Sequence, residues 1–428
     1  MISLLNKLKY FDYISQTMSL DLIKAKLIAS GDKSILFLSF IVFIKFLCSL
    51  KYLFVKIPKA DVLFLFSTKN QKEALTNTSK VLGEKALVAN VSLSANIDGD
   101  YNFPIFFPYL FSVFFVPIIL FEYIFLLSEN EKIRLRNGFQ DYSLALGNCV
   151  CFYIYLKIVN PKLIVLSNDH NSNMRILIYI AEKLKIKTVY IQHASVSNYF
   201  PPLNQFNLAL LDGQYSKDIY SSIGSLPEQT FLVGVNKFDN YKRKVISFKN
   251  QEPQSKQLKV GIALNPLYCE AKLKKLVFSL QEQAVEIVIR LHPIQFKVAS
   301  ILLNSLKEFK FKLSDPIIEK PADFILNANC VIAGNSGILL ETAILNKAAI
   351  YYDLDSIPHD YYQFVSNGIA LELMLPDGRL IDLLSEYKEK TSMRINYYDH
   401  SFGNGLYGYS SECCSQKILQ LSELENSQ

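Results

Sequence analysis

The sequence predicts an α/β protein of two domains, each built on a parallel sheet. Three observations carry that expectation. The chain has 428 residues, and single hydrophobic cores rarely grow beyond about 250–300. Short, continuously apolar β-rich runs alternate with longer helical stretches, the pattern of strands covered on both faces. That rhythm breaks once, at 241–257 (YKRKVISFKNQEPQSKQ), and then resumes.

In chain order, VLFLF (62–66) and ALVANV (86–91) read as strands, with a helix from about Gln71 between them. The apolar stretch 103–127 is an insert. A helix follows near 139–157, then the strand LIVLS (163–167), an amphipathic helix over 172–185 and the strand KTVYIQH (187–193). LALLD (208–212) and TFLVG (230–234) complete a domain spanning 61–240. Residues 241–257 are polar, contain Pro253 and read as a linker. In the second domain, 258–410, the strands are KVGIAL (259–264), EIVIRL (286–291), CVIAG (330–334) and AAIYYD (348–353). Helices are expected around 269–282, 294–308, 321–327 and 337–346, and a last one over 411–424, within the terminal segment 411–428, is expected to cross back onto the first domain. Two such domains define a central cleft, and ligands of parallel sheets bind beyond the carboxyl ends of the strands.

Half the residues are hydrophobic and 20% are charged, which excludes disorder. The net charge of +6 resides in residues 1–60, where nine lysines face Asp12, Asp21 and Asp32. Those lysines alternate with Leu, Ile and Phe, which suits an anionic bilayer surface better than nucleic acid. Ser34–Leu47 is short for a membrane span, and Phe103–Leu127 carries Pro104, Pro108, Pro117 and Glu122, so interfacial or buried helices are expected ahead of spanning ones. Removing residues 1–56 is expected to release the protein from membranes. Seven cysteines without CxxC spacing point to a reducing cytoplasm, and no secretory signal is visible. The expected location is the inner face of the cell membrane, as a peripheral protein.

Three polar constellations stand at predicted strand ends. In Ile289-Arg290-Leu291-His292-Pro293 the strand ends at His292, and Pro293 suits the first turn of a helix. His292 can bond a phosphate or ribose hydroxyl, with Arg290 adding charge; a His that only caps its strand is the structural alternative. Ala333-Gly334-Asn335-Ser336-Gly337-Ile338 turns a strand into a helix through small residues, a phosphate-binding geometry, with Glu341 one turn further on. A tight turn without ligand is its alternative. In the first domain, Gln192-His193-Ala194-Ser195 and Asn168-Asp169-His170 end neighbouring strands. His193 and Asp169 qualify as general bases, and Asn168, His170, Gln192 and Ser195 as acceptor contacts. No histidines pair at metal-ligand spacing, so neither a metal nor a cofactor is expected.

Gly334–Ala343 resembles the phosphate- and ribose-gripping segment of UDP-N-acetylglucosamine 2-epimerases and GT-B glycosyltransferases. IRLHP with its downstream Ser loop is similar to the motifs of bacterial sialyltransferases and Kdo transferases. VYIQHAS with Phe231–Gly234 and Lys237-Phe238-Asp239 resembles stretches of CDP-glycerol polymer transferases of cell-surface polymer synthesis. The likeness runs over roughly 160–355, although Ala194, Val235, Asn236 and Ile338 depart from those patterns. It implies a GT-B fold of two Rossmann-like domains. Arg290, His292, Pro293, Asn335, Ser336, Gly337 and Glu341 would bind a CMP- or UDP-activated donor, and His193 or Asp169 would serve as base. The implied activity is sugar transfer to a lipid-linked or oligosaccharide acceptor in capsule, O-antigen or lipopolysaccharide synthesis. A sugar-nucleotide 2-epimerase and a non-catalytic assembly factor are the competing expectations.

Overall fold

The structure, a computed structural model, describes residues 34–55, 58–93, 101–167, 172–196, 198, 200–248, 257–355, 358–375, 379–390 and 392–423. The chain divides into two compact units. The first comprises residues up to Leu211, Lys217–Leu232 and the segment from Ser411; the second comprises Asp212–Ser216 and Val233–Ser410.

The first unit opens with α1 (Ile35–Ser49), where the Ser34 hydroxyl caps the helix by accepting from the Phe37 N–H. Then come β1 (Val62–Phe66), α2 (Lys69–Leu82), β2 (Ala86–Asn90) and β3 (Tyr101–Asn102), followed by α3 (Phe106–Phe125), α4 (Glu129–Asn137) and α5 (Phe139–Val159). After them run β4 (Leu163–Leu166), α6 (Ser172–Lys183), β5 (Lys187–Ile191), β6 (Leu208–Leu211), α7 (Gln214–Ile223) and β7 (Gln229–Leu232). The seven strands form a parallel sheet in the order β3-β2-β1-β4-β5-β6-β7. Every residue of β1, β4 and β6 is buried. Each large apolar side chain so enclosed contributes about 1.5–3 kcal/mol, which is why these strands read as unbroken apolar runs.

Within the insert 103–127, Phe106–Phe125 forms one continuous helix despite its prolines. Pro104 precedes α3 and Pro108 lies in its first turn, where backbone N–H groups have no helical partner anyway. Only Pro117 removes a hydrogen bond from the helix interior. On its inner side α3 packs closely on α5 at Gly147, where a Cβ would stand 2.7 Å from the Pro108 carbonyl oxygen. Three helical stretches have the length and apolarity to cross a membrane: Ile35–Tyr52, Phe106–Phe125 and Phe139–Val159. Only 17% and 28% of the first two windows are buried, against 61% of the third. α5 is therefore largely a core helix, whereas α1 and α3 show apolar faces, among them Phe37, Phe40 and Phe43 on α1 and Phe114, Ile118 and Phe121 on α3.

The second unit contains α8 (Asp239–Phe248), β8 (Lys259–Ala263), α9 (Glu270–Glu282), β9 (Glu286–Arg290), α10 (Ala299–Ser305) and β10 (Lys312–Ser314). It continues with α11 (Pro321–Leu326), β11 (Cys330–Ala333), α12 (Ile338–Ile344), β12 (Ala348–Tyr351), β13 (Leu371–Glu372), α13 (Leu380–Lys390) and α14 (Ser392–Tyr398). Its parallel sheet has the order β10-β9-β8-β11-β12-β13. The last helix, α15 (Ser410–Glu423), belongs to the first unit over nearly its whole length. There the Ser415 hydroxyl donates to the Thr78 carbonyl at 3.2 Å, and the Lys417 ammonium lies 4.3 Å from the Phe231 ring centroid.

Residues 241–248, read from sequence as linker, are helical, while 249–256 lie outside the described residues. The helical period is hidden because the buried face of this stretch carries charge: Phe238, Asp239 and Lys242 are all buried. Lys242 pairs with Asp399 at 2.7 Å, and both side chains are fully enclosed. The Lys242 ammonium also donates to the Val235 carbonyl and the Ser401 hydroxyl. Asp399 accepts from the Val235 and Ser401 N–H groups and from the Ser401 hydroxyl. This network ties Val235 and α8 to the second unit, although sequence reading placed 233–240 in the first. Removing one charge leaves the other buried without its counter-ion, so Lys242→Met should destabilise the protein by about 3–5 kcal/mol. Urea unfolding monitored by circular dichroism measures it, and a change within about 0.5 kcal/mol would show that the pair is dispensable.

Candidate functional site

In the second sheet, β8 leads to β9 and β10 on one side, and the later strands β11–β13 lie on the other. The direction of travel therefore reverses between β8 and β11, and loops at the carboxyl ends of such a pair diverge to leave room for a ligand. Asn265 follows β8, His292 follows β9 and Asn335–Gly337 follow β11.

Side-chain hydrogen bonds fasten these loops together. Asn265 donates to the Asp355 carboxylate at 2.6 Å and to the Asn335 carbonyl at 3.4 Å. Asp355 accepts in turn from the Asn335 backbone and carboxamide at 2.8 and 3.1 Å. Gly334 lies so near that a Cβ there would come within 2.5 Å of Asp355 Oδ2. The loop after β9 joins through Gln295, which bonds the His292 carbonyl with its backbone N–H and the Pro266 carbonyl with its carboxamide. Asn265 and Asp355, absent from the sequence-level candidates, thus shape the site without being its exposed ligands. An Asn just after a strand and an Asp in the YYDLD run were their signals, too common to single out.

The predicted donor residues divide by what their side chains already do. Arg290 is buried, donates to the Ser314 hydroxyl and the Glu319 carbonyl, and stacks on Phe324. Its guanidinium braces its own domain rather than offering charge to a donor. Asn335 is likewise buried and fully engaged: its carboxamide holds Asp355, Pro358 and the Tyr361 N–H. Pro293 begins a 3-10 helix, Pro293–Val298, and its ring shapes the turn.

His292, Ser336, Gly337 and Glu341 have more exposure. His292 is half-buried, and that burial lowers the basicity of its imidazole, which keeps the ring neutral near pH 7. The Ser336 hydroxyl accepts from the Ile338 N–H at 3.4 Å. A Cβ at Gly337 would meet no atom within 4 Å, so the space beside the turn is open. α12 begins immediately afterwards and runs for only seven residues. Glu341 pairs with Lys237 at 2.9 Å. Sequence reading had quoted Lys237 only as part of a resemblance and missed this pairing.

In the first unit the corresponding reversal falls between β1 and β4, directly before Asn168, Asp169 and His170, which lie outside the described residues. His193 follows β5 and is half-buried; Ser195 is also partly exposed. Gln192 is buried, and its carboxamide donates to the Ala194 carbonyl at 2.9 Å, fixing the shape of its own loop.

Comparison with known proteins gives fold but no family. No family model and no curated protein matches the sequence. Among solved structures, a UDP-GlcNAc 2-epimerase from Neisseria meningitidis bound to UDP-GlcNAc aligns with a TM-score of 0.53 at 13% identity, covering 84% of this chain and 99% of that one. A putative UDP-N-acetylglucosamine 2-epimerase from Listeria monocytogenes gives 0.52 at 11% identity, over 82% and 94%. The enzyme of that name from Rickettsia bellii gives 0.50 at 13%, over 85% and 96%. The α/β architecture is of the GT-B type.

One further group responds to pH. Burial pushes the Asp212 carboxyl up to about 8, with the Asp399 charge adding to the shift and Lys237 and Lys242 opposing it. Because the folded state binds this proton more tightly than the unfolded chain, Asp212 favours folding fully below the ordinary carboxylate range. That contribution is lost as pH rises toward 8. Asp212→Asn should therefore raise the melting temperature relative to wild type at pH 8.5 and give little advantage at pH 5; an equal difference at both would refute the shift.

Proposed function

We propose that this protein is a membrane-associated glycosyltransferase that moves a sugar from a nucleotide-activated donor to a lipid-linked or oligosaccharide acceptor of cell-surface polysaccharide. The observation that carries this reading is the loop set at the reversal of the second sheet of a GT-B fold, where His292 follows β9, Ser336 and Gly337 follow β11, and the space beside Gly337 is open. In this reading a donor's phosphates meet the Ser336 hydroxyl, the Gly337 backbone and the His292 ring. Glu341, with one carboxylate oxygen held by Lys237, meets the ribose. The donor is a CMP-ulosonate or a UDP-sugar, with no separate cofactor.

In the transfer step the acceptor hydroxyl attacks the anomeric carbon as the bond from that carbon to the nucleotide's phosphate oxygen breaks. The hydroxyl proton passes to His193 or Asp169 as general base. Arg290 and Asn335 act by holding the loops in place. The fold neighbours named as UDP-GlcNAc 2-epimerases support the second reading, a sugar-nucleotide epimerase. The uncovered apolar faces of α1 and α3 favour the transferase, because an epimerase of a water-soluble nucleotide sugar needs no bilayer. Seven free thiols suit the cytoplasmic side.

Thermal stabilisation by CMP, CDP, UDP, GDP and their sugars tests the donor site, since ligand at 100 times its dissociation constant adds about 2.7 kcal/mol. His292→Ala should abolish the shift. His193→Ala should keep it while lowering turnover by about 10²–10⁴-fold. Absence of a shift with every nucleotide would refute donor binding and favour the assembly factor, and turnover of a UDP-sugar without acceptor would favour the epimerase.

Because α3 also exposes an apolar face, removing residues 1–56 should weaken co-flotation with anionic vesicles, and adding Phe114→Glu, Ile118→Glu and Phe121→Glu should abolish it. Vesicle binding that survives both changes would rule out membrane attachment through α1 and α3.

A further inference from the structure

The layer formed by α1, α3 and α5 is apolar outside and holds a cluster of polar groups among its otherwise largely apolar inner side chains. On its outside stand Leu36, Phe40, Ile44 and Leu47 of α1 and Phe114, Ile118, Phe121 and Phe125 of α3, all exposed. On its inside the Lys45 ammonium donates to Gln140 Oε1, and the Gln140 carboxamide donates to the Tyr109 hydroxyl at 3.2 Å. Asn148 donates to Asn173 Oδ1 at 2.7 Å, and the Ser172 hydroxyl donates to Asp141 at 2.8 Å. Enclosing so many polar groups beneath apolar helices is unfavourable unless they are bonded, and these bonds leave further donor and acceptor capacity on the carboxamides.

An open hollow lies among these groups. Gln140, Asn148, Asn173 and Tyr109 supply its polar lining, and Phe103 and Phe152 supply aromatic rings. Among the described residues no carboxylate lines it. Neutral carboxamides that donate and accept, set beside aromatic rings, match a sugar, whose hydroxyls do both and whose ring carries apolar C–H faces. The place also fits. Ser92 and Leu93, at the carboxyl end of β2, form one wall. Asn173, in the first turn of α6, contributes to another. Phe107, which immediately precedes the two α3 residues of the wall, Pro108 and Tyr109, is exposed.

We propose that this hollow seats the terminal sugar of a lipid-linked acceptor, with its hydrocarbon chain leaving past Phe107 onto the apolar faces of α3 and α1. The inference rests on the transferase reading for the word acceptor. It differs from the acceptor contacts expected at Gln192 and Ser195, because the seat is built from α3, α5 and α6.

The test uses the full chain in phosphatidylglycerol vesicles. The probes are dodecyl glycosides of glucose, galactose and N-acetylglucosamine carrying a diazirine in the alkyl chain, with a diazirine-bearing dodecylphosphocholine as control. At least one glycoside should label Phe107–Tyr109 or Leu144–Phe152, and Asn148→Leu or Gln140→Leu should reduce that labelling about tenfold. Control labelling of α1 and α3 should be unchanged. Tyr109→Phe, which removes only a hydroxyl, serves as a milder variant should a carboxamide replacement unfold the protein, and should reduce labelling by a smaller factor. Equal labelling by glycosides and control, or labelling insensitive to all three substitutions, would overturn the seat. Nucleotide stabilisation is measured on the same samples: loss of sugar-dependent labelling with that shift retained removes the sugar seat alone, whereas labelling without any nucleotide shift removes the transferase reading and with it the assignment as acceptor.

Discussion

A parallel strand can be joined to its parallel neighbour only by a crossover, and both faces of the sheet are then covered. That constraint organises each unit. With both faces sealed, the carboxyl edge is where loops from several strands can meet a ligand, and the strand order decides which loops diverge. In the second unit the reversal between β8 and β11 brings forward Asn265 and the Asn335–Gly337 turn. In the first it lies between β1 and β4. Placement of chemistry is thus a consequence of topology before any side chain is considered.

Side chains then divide between holding the edge and serving it. Asp355 accepts from Asn265 and twice from Asn335, so three loops share one carboxylate as their fastening. Arg290 fixes Ser314 and Glu319 in the same manner. Groups bonded this fully cannot turn toward a ligand without leaving a buried partner unsatisfied, at a cost of about 1–3 kcal/mol each. What remains for recognition is a small set of partly exposed groups, His292, Ser336, Gly337 and Glu341, on a frame whose positions are already set. In the proposed donor site, such preorganisation would let a phosphate be gripped without reordering the loops.

Sequence reading reached the sheets because their strands are apolar on both faces, and VLFLF, KVGIAL and CVIAG were placed almost to the residue. Short edge strands escaped it. β3 and β13 are two residues long, too short for any periodicity. α8 escaped for a different reason: its buried face holds Lys242, whose charge is matched by Asp399, far away in sequence. A hydrophobic pattern cannot report a buried ion pair. The site shows the same division. His292 and the Gly334–Gly337 turn were visible as strand-end motifs, but nothing local to Arg290 reveals that its guanidinium faces Ser314, and nothing near Glu341 announces Lys237.

The insert poses the remaining physical problem, since α1 and α3 place large aromatic side chains outward while lysine, glutamine and asparagine lie behind them. A water-soluble domain gains nothing from that arrangement: exposing an apolar face forfeits roughly 25 cal/mol for each Å² left in water, and the polar groups behind it lose hydration. Beside a bilayer both terms change sign in effect. Under the proposed attachment, lipid chains would cover the aromatic face, and the polar groups behind it would offer hydrogen-bond partners to a headgroup leaving the interface. Pro117, which releases one carbonyl in the middle of α3, and Gly147, which lets α3 approach α5, are tolerable in that setting because neighbouring helices stabilise the helix by packing. The proposed lipid attachment thus rests on the exposed apolar faces of α1 and α3, whereas the proposed donor site rests on the carboxyl edge of the second sheet.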